Sequence, residues 1–167
     1  MNKLVLNTSS SLFFTKIGLV SHLLKHFSFV TSPEIFSEIK EGEEIGFKDA
    51  RIMMHYFEAG KISLLTSKKA GKISKEFKIK ITDASVIALA QELGFFLATE
   101  DRQIEKICLI MQTKVTNTAV LLHYLRQKKE FPDAQIFLLL DLLVRNGYNK
   151  EICLKIREKI IKGEKHV

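Results

Sequence analysis

The sequence predicts an α/β fold of three layers, with a central parallel sheet of about five strands between two layers of helices. Two observations predict it. Short apolar runs alternate with helical stretches of ten or more residues, and parallel strands need crossovers of that length whereas antiparallel ones need only a tight turn. The runs are also apolar at nearly every position, as strands covered on both faces are. The composition agrees: 167 residues, 46% hydrophobic, with twelve Phe, only two Pro and eight Gly, suffice for one packed core and exclude disorder and collagen-like repeats.

The first strand is read over residues 3–6, and the turn-formers Asn7, Thr8 and Ser9 end it. Leu12, Phe13, Ile17, Val20, Leu23 and Leu24 then recur at helical spacing as far as His26, with a break near Gly18. Residues 27–30 are a second strand. Ser32 followed by Pro33 starts a helix over 34–40, because Ser caps free amides and Pro at the first helical position loses no hydrogen bond. Residues 46–59 carry Ile52, Met53, Tyr56 and Phe57 on one side of a helix that Gly60 stops. Residues 62–65 are a third strand. Thr82 and Asp83 open a helix through Val86, Ile87, Leu89, Ala90 and Leu93 that Gly94 closes, and 95–98 form the fourth strand. Asp101 opens a helix striped with Ile104, Ile107, Cys108 and Met111. A short strand over 114–116 and an Asn117-capped helix to about Gln127 follow.

After Phe131 and Pro132 the alternation stops. Two helices, about 133–146 and 150–162, are joined by Asn146, Gly147 and Tyr148 with no accompanying strand. The expected organisation is an α/β domain over 1–127 and a helical extension over 128–167. Phe137, Leu138, Leu139, Leu140, Leu142, Leu143 and Val144 exceed what a one-sided helix buries, which points to cover by the chain's own domain or by a second copy, and a homodimer is expected.

The longest apolar run, residues 136–140, is far short of the roughly 20 residues that span a bilayer, and 4–6 are too few for the core of a signal peptide, so a cytoplasmic protein is expected. Cys108 and Cys153 lack zinc-site spacings and read as buried reduced thiols. The net charge is +7, and residues 61–80 hold seven Lys against the single acid Glu76, so this segment supplies +6 of it. A basic balance biases partners toward polyanions such as nucleic acid.

In an open parallel sheet, ligands bind beyond the carboxyl ends of the strands, where strand order reverses. Asn7 and Thr8 follow the first strand, Thr99, Glu100 and Asp101 follow the fourth, and Asp83 begins the helix that leads into the fourth. Glu38 lies beside the stripe formed by Ile35 and Ile39 and leans toward the same edge. Two carboxylates 4 Å apart repel by about 4 kcal/mol at an effective dielectric of 20, and a hard divalent cation such as Mg²⁺ offsets that repulsion. Such an ion promotes in-line attack on phosphorus without a Cys, His or Ser nucleophile, and none of the five His (22, 26, 55, 123 and 166) falls at a predicted strand end. Singly, Asn7, Asp83 and Asp101 also stand where helix caps belong, and Glu34, Glu38 and Glu41 have the spacing of a solvated face. The joint pattern, an acid or amide at each place this architecture would use, favours a metal site.

Four segments carry a family resemblance covering residues 3 to about 127. Leu4-Val5-Leu6-Asn7-Thr8-Ser9-Ser10, Pro33-Glu34-Ile35-Phe36-Ser37-Glu38-Ile39, Thr82-Asp83-Ala84-Ser85-Val86-Ile87-Ala88-Leu89-Ala90 and Leu97-Ala98-Thr99-Glu100-Asp101-Arg102 together resemble the PIN-domain superfamily, metal-dependent nucleases that include VapC-like toxins. The resemblance implies a Mg²⁺- or Mn²⁺-dependent endonuclease on single-stranded RNA or DNA. It implies metal and catalytic roles for Asn7, Glu38, Asp83 and Asp101, with Thr8, Ser9 and Thr99 orienting them, and an antitoxin as a protein partner. The family's first segment normally ends in Asp-Thr-Ser, and Asn7 stands in place of that Asp. The site therefore has one negative charge fewer, which leaves a second reading open: a nucleic-acid-binding or regulatory protein of the same fold whose turnover is weak or lost. A receiver-like domain fits the fold but not the residues, since paired acids after the first strand and a glycine-rich phosphate loop are both missing.

Overall fold

The structure, a computed structural model, describes residues 2–163; residues 1 and 164–167, His166 among them, lie outside the described residues. Five strands, β1 (Asn2–Leu6), β2 (Phe27–Thr31), β3 (Ile62–Leu64), β4 (Phe96–Ala98) and β5 (Val115–Thr116), form one sheet in the order β3-β2-β1-β4-β5. Every pairing is parallel, with Leu4 opposite Phe29 on one side and Phe96 on the other. Ten helices among the described residues flank it, giving the expected three-layer α/β/α sandwich: α1 (Thr8–Lys16), α2 (Val20–Leu23), α3 (Pro33–Ile45), α4 (Lys48–Glu58), α5 (Ala70–Phe77), α6 (Ile81–Leu93), α7 (Arg102–Ile110), α8 (Thr118–Gln127), α9 (Asp133–Arg145) and α10 (Lys150–Ile161).

β1 occupies the middle of the sheet because it tolerates no water on either face: Leu4, Val5 and Leu6 are all fully buried. Connections run from β1 outward to β2 and β3, then cross back over β1 to β4 and β5, so the strand order reverses beside β1. At that edge the strands are pinned side by side. Asn7 N–H donates to the Ala98 carbonyl (3.1 Å), the Thr31 hydroxyl donates to the Leu6 carbonyl (2.7 Å), and the Ser10 hydroxyl donates to the Ala98 carbonyl (2.8 Å).

The helices begin and end largely where the local chemistry dictates. Ser32 caps α3 through Ile35 N–H with Pro33 at its first turn, and Gly46 ends it at φ +106°, a conformation that favours glycine. α3 therefore runs five residues past the expected Lys40, and Gly46 closes that helix instead of opening the next. The predicted stretch to His26 is two helices separated at Gly18, φ +70°. α5 was not expected, because its cap residue Lys69 offers no side-chain acceptor and it ends at Lys78, φ +53°, where glycine is usual.

The C-terminal helices join the same core. Ile136, Leu140 and Leu143 of α9 and Cys153, Ile156 and Ile160 of α10 are buried in one cluster with Leu121, Leu122 and Leu125 of α8. Leu138 and Leu142 are left exposed on α9. Cys108 and Cys153 are both buried free thiols. No helix among the described residues is long and apolar enough to cross a membrane.

Glu130, in the turn between α8 and α9, clasps the end of α2. It accepts hydrogen bonds from Lys25 Nζ (2.6 Å) and lies 3.1 and 3.2 Å from ring nitrogens of His22 and His26. These neighbours, Lys25 first, hold its carboxyl down at about 2. A carboxyl depressed on folding contributes stability that is present above its unfolded value, near 4.3, and is lost as pH falls toward 2. Glu130→Gln therefore lowers the melting temperature at pH 7, and the difference from wild type closes as both are titrated from pH 5 to pH 2.

Candidate functional site

All four candidate residues line one cleft of about 290 Å³, together with Thr8, Ser9, Lys80 and Thr82. Each arrives from a different element. β1 leads into Asn7, which caps α1. α3 carries Glu38 on its second turn, and the Thr8 hydroxyl donates to Glu38 Oε2 at 2.6 Å, fixing the carboxylate over the end of β1. α6 holds Asp83 in its first turn, and β4 leads through Thr99 and Glu100 to Asp101.

Asn7 is almost fully buried, and both ends of its amide are engaged. Its Oδ1 accepts from Thr8 N–H at 2.6 Å, and its Nδ2 donates to Thr99 Oγ1 at 3.2 Å. Thr99 Oγ1 also accepts from Asp101 N–H at 3.2 Å, so one hydroxyl holds the β1 and β4 ends of the site in register. Because Thr99 accepts twice, its own proton remains available. A carboxylate at position 7 would receive that proton and keep the same contact with its direction reversed.

Asp101 is the cap of α7, accepting from Gln103 N–H (2.7 Å) and Ile104 N–H (3.2 Å) through Oδ1. The cap reading fails for Asp83. α6 starts at Ile81 with Lys80 at the cap position and no side-chain cap, leaving the Asp83 carboxylate inside the first turn with no capping bond to make. Its place is set from beneath: the Ser85 hydroxyl donates to the Thr82 carbonyl (2.6 Å) and contacts the Ser32 hydroxyl (2.6 Å), which ties the start of α6 to the start of α3.

The electrostatics are unbalanced. None of Glu38, Asp83 and Asp101 has an ion-pair partner among the described residues. Lost hydration, then Asp101, then Glu38 push the Asp83 carboxyl above its ordinary value, and Lys80 alone pulls it back. The donors suit a hard divalent cation: carboxylate, amide and hydroxyl oxygens, with neither thiol nor imidazole lining the cleft. The carboxylates are not closed upon one another, however. Among the described residues no three His, Cys, Asp or Glu side chains are grouped closely enough to hold a metal ion.

Two features escaped the sequence reading. Lys80 and Thr82 line the cleft, and the only signal was their place just before Asp83. Glu100 points away from the cleft. It accepts hydrogen bonds from the Thr118 N–H (2.8 Å) and hydroxyl, and it meets the Tyr148 hydroxyl, which accepts from Ala119 N–H (3.4 Å). Burial pushes the Glu100 carboxyl up to about 7 against the pull of these donors. The Asn146-Gly147-Tyr148 turn thus seats the C-terminal helices directly behind the site.

Comparison with known proteins agrees with this fold. A family described as PIN domain matches residues 3–162. The chain belongs to the PIN-domain family. Its members are generally nucleases and typically depend on divalent metal ions. The match extends through α9 and α10. Among solved structures, PAE2754 from Pyrobaculum aerophilum is similar in fold, with a TM-score of 0.53 and 16% identity over 75% of this chain and 98% of that one. No curated protein matches the chain in sequence.

The unpaired charge of this PIN domain has a measurable cost. A carboxyl raised by desolvation and like charges destabilises the folded state once ionised. Asp83→Asn is expected to raise the melting temperature in chelator at pH 7 or above, with the gain shrinking toward pH 4; a loss of stability would show that Asp83 makes a favourable structural interaction.

Proposed function

We propose that the protein is a metal-dependent endonuclease that hydrolyses phosphodiester bonds in single-stranded RNA or DNA. The observation that carries this reading is the gathering of three carboxylates, unpaired and from three separate segments, around one open cleft. A protein with no ligand for such a cleft gains nothing from the repulsion. In this reading Asn7, Glu38, Asp83 and Asp101 hold Mg²⁺ or Mn²⁺, which supplies Lewis acidity that makes water a better nucleophile and stabilises the leaving oxygen. Thr8 keeps Glu38 aimed at the cleft, Thr99 sets the relative height of Asn7 and Asp101, and Lys80 lies where it meets a substrate phosphate. Solvent reaches the cleft freely, as an extended strand would. An antitoxin-type partner and a second copy of the chain belong to the same reading, the latter supported by exposed Leu138 and Leu142.

Asn7 favours a second reading, nucleic-acid binding with little turnover, since its amide brings no charge and both its ends already serve the fold. One experiment separates the two. Single-stranded RNA and DNA are incubated with Mg²⁺ or Mn²⁺ and wild-type, Asp83→Ala, Asp101→Ala and Asn7→Asp proteins. The nuclease reading expects wild-type cleavage that falls at least about tenfold in each alanine variant, as loss of a group supporting a bound metal does. Cleavage unaffected by both alanines rejects the proposed site. Binding without cleavage in wild type, with cleavage gained in Asn7→Asp, establishes the second reading.

A further inference from the structure

The run of seven lysines reads as one feature in sequence, but the sheet divides it. β3 pairs with β2 so that Leu64 lies opposite Thr31, and Leu65 N–H donates to the Thr31 carbonyl at 2.9 Å. Thr31 is followed by Ser32, the cap of α3, and α3 carries Glu38. Everything just after β3 therefore lies at the edge of the sheet that holds the acidic cleft, whereas Lys61, just before β3, lies at the opposite edge. Lys68, Lys69, Lys72, Lys75, Lys78 and Lys80 remain on the cleft side.

α5 displays these charges outward. Ala70 and Ile73 are buried and Phe77 is half-buried against the core, which turns Lys72 and Lys75 toward solvent. Gly71, on that outward side, has open space where a Cβ would be, so the backbone there admits close approach. All six lysines are exposed, and none makes an ion pair among the described residues. Other cations of the chain do find acids, including Lys16 with Asp49, Lys25 with Glu130, Arg126 with Asp133 and Arg157 with Asp141. Like charges at i and i+3, such as Lys72 and Lys75, destabilise a helix. A short helix without a side-chain cap is a poor place to concentrate them unless an anion is to be met.

The basic surface is joined to the cleft by covalent continuity. Only Lys78, Ile79 and Lys80 separate α5 from α6, and Lys80 lines the cleft beside Asp83. Within α5, Lys69 to Lys75 spans about 9 Å at 1.5 Å per residue. From Lys75 the chain reaches Lys80 within at most about 18 Å, even fully extended. Broken only by Glu76, charge of one sign therefore runs from Lys68 to Lys80 and ends where charge of the other sign begins.

We infer that Lys68, Lys69, Lys72, Lys75, Lys78 and Lys80 form a track that holds the phosphate backbone of a single-stranded nucleic acid and leads it into the acidic cleft. The inference rests on the proposed nuclease or nucleic-acid-binding reading and names the surface that delivers its substrate. The track contacts phosphates and not base edges, so it sets affinity and salt dependence without sequence preference.

The test measures binding of a short oligouridylate in chelator, which prevents metal-dependent cleavage, as a function of salt. Log affinity falls against log salt with a slope of about 0.7 for each phosphate neutralised on a single strand. Replacing Lys68, Lys69, Lys72 and Lys75 together by Gln, which matches Lys in helix propensity, should flatten that slope by about 3. Lys61→Gln, and Lys155→Gln with Lys159→Gln on α10 and Lys162→Gln at its C-terminal cap, should leave it unchanged. Lys72→Arg with Lys75→Arg should retain the wild-type slope. A slope unaltered in the fourfold variant, or flattened equally by the α10 variant, overturns the track while leaving the wild-type activity reading intact. Wild-type protein that neither binds the oligonucleotide in chelator nor cuts it with Mg²⁺ or Mn²⁺, at any salt, overturns the track and the proposed function together.

Discussion

The parallel pairing of β1 with both β2 and β4 is the constraint on which the rest of the molecule depends. A fully apolar strand has to be covered on both faces and flanked on both edges, and parallel neighbours reach it only through helical crossovers. Every strand then ends at the same edge of the sheet. The chain leaves β1, β2, β3 and β4 there as Asn7, Ser32, Leu65 and Thr99, and the side chains that follow are gathered without any contact being needed to draw them together. Short hydroxyl-to-carbonyl bonds from Thr31 and Ser10 lock the strand ends in register, so the cleft inherits its dimensions from the sheet.

What the sheet gathers is electrostatically unfavourable. Three carboxylates share the cleft without a partnered cation, and the rise in the Asp83 carboxyl records their mutual repulsion and lost hydration. The α5 lysines are a second concentration of like charge, next in the chain and opposite in sign. The two do not neutralise each other: only Lys80 bears on Asp83, and the remaining lysines face solvent along α5. A fold optimised for stability alone would pair them. Kept apart, they present complementary surfaces to a third party that carries both phosphate oxygens and a need for metal chemistry.

The architecture was legible because its signals are local and redundant. Four apolar runs, the Ser32-Pro33 start and the closing Gly60 and Gly94 each name an element boundary that the structure keeps to within a few residues. α5 was missed where redundancy fails: its apolar contacts are three, its cap offers no acceptor, and Lys78 takes the left-handed conformation in place of glycine. At the cleft, the residues that the strand ends deliver were readable because topology fixes them. Their hydrogen-bonded roles were not. That Asn7 uses both ends of its amide, that Asp83 is freed from capping by Lys80, and that Glu38 answers to Thr8 across thirty residues of chain are matters of rotamer and helix phase, which spacing alone does not determine. The seven lysines show the opposite limit, a run contiguous in sequence that strand direction separates onto two edges.

The segment that leaves β4 belongs to two surfaces at once. Asp101 lines the cleft, Thr99 accepts hydrogen bonds from Asn7 and Asp101, and Glu100 between them turns to Thr118 and Tyr148. The seating of the C-terminal turn and the placing of Asp101 are therefore set by adjacent residues of one short segment, Glu100 serving the first and Thr99 the second.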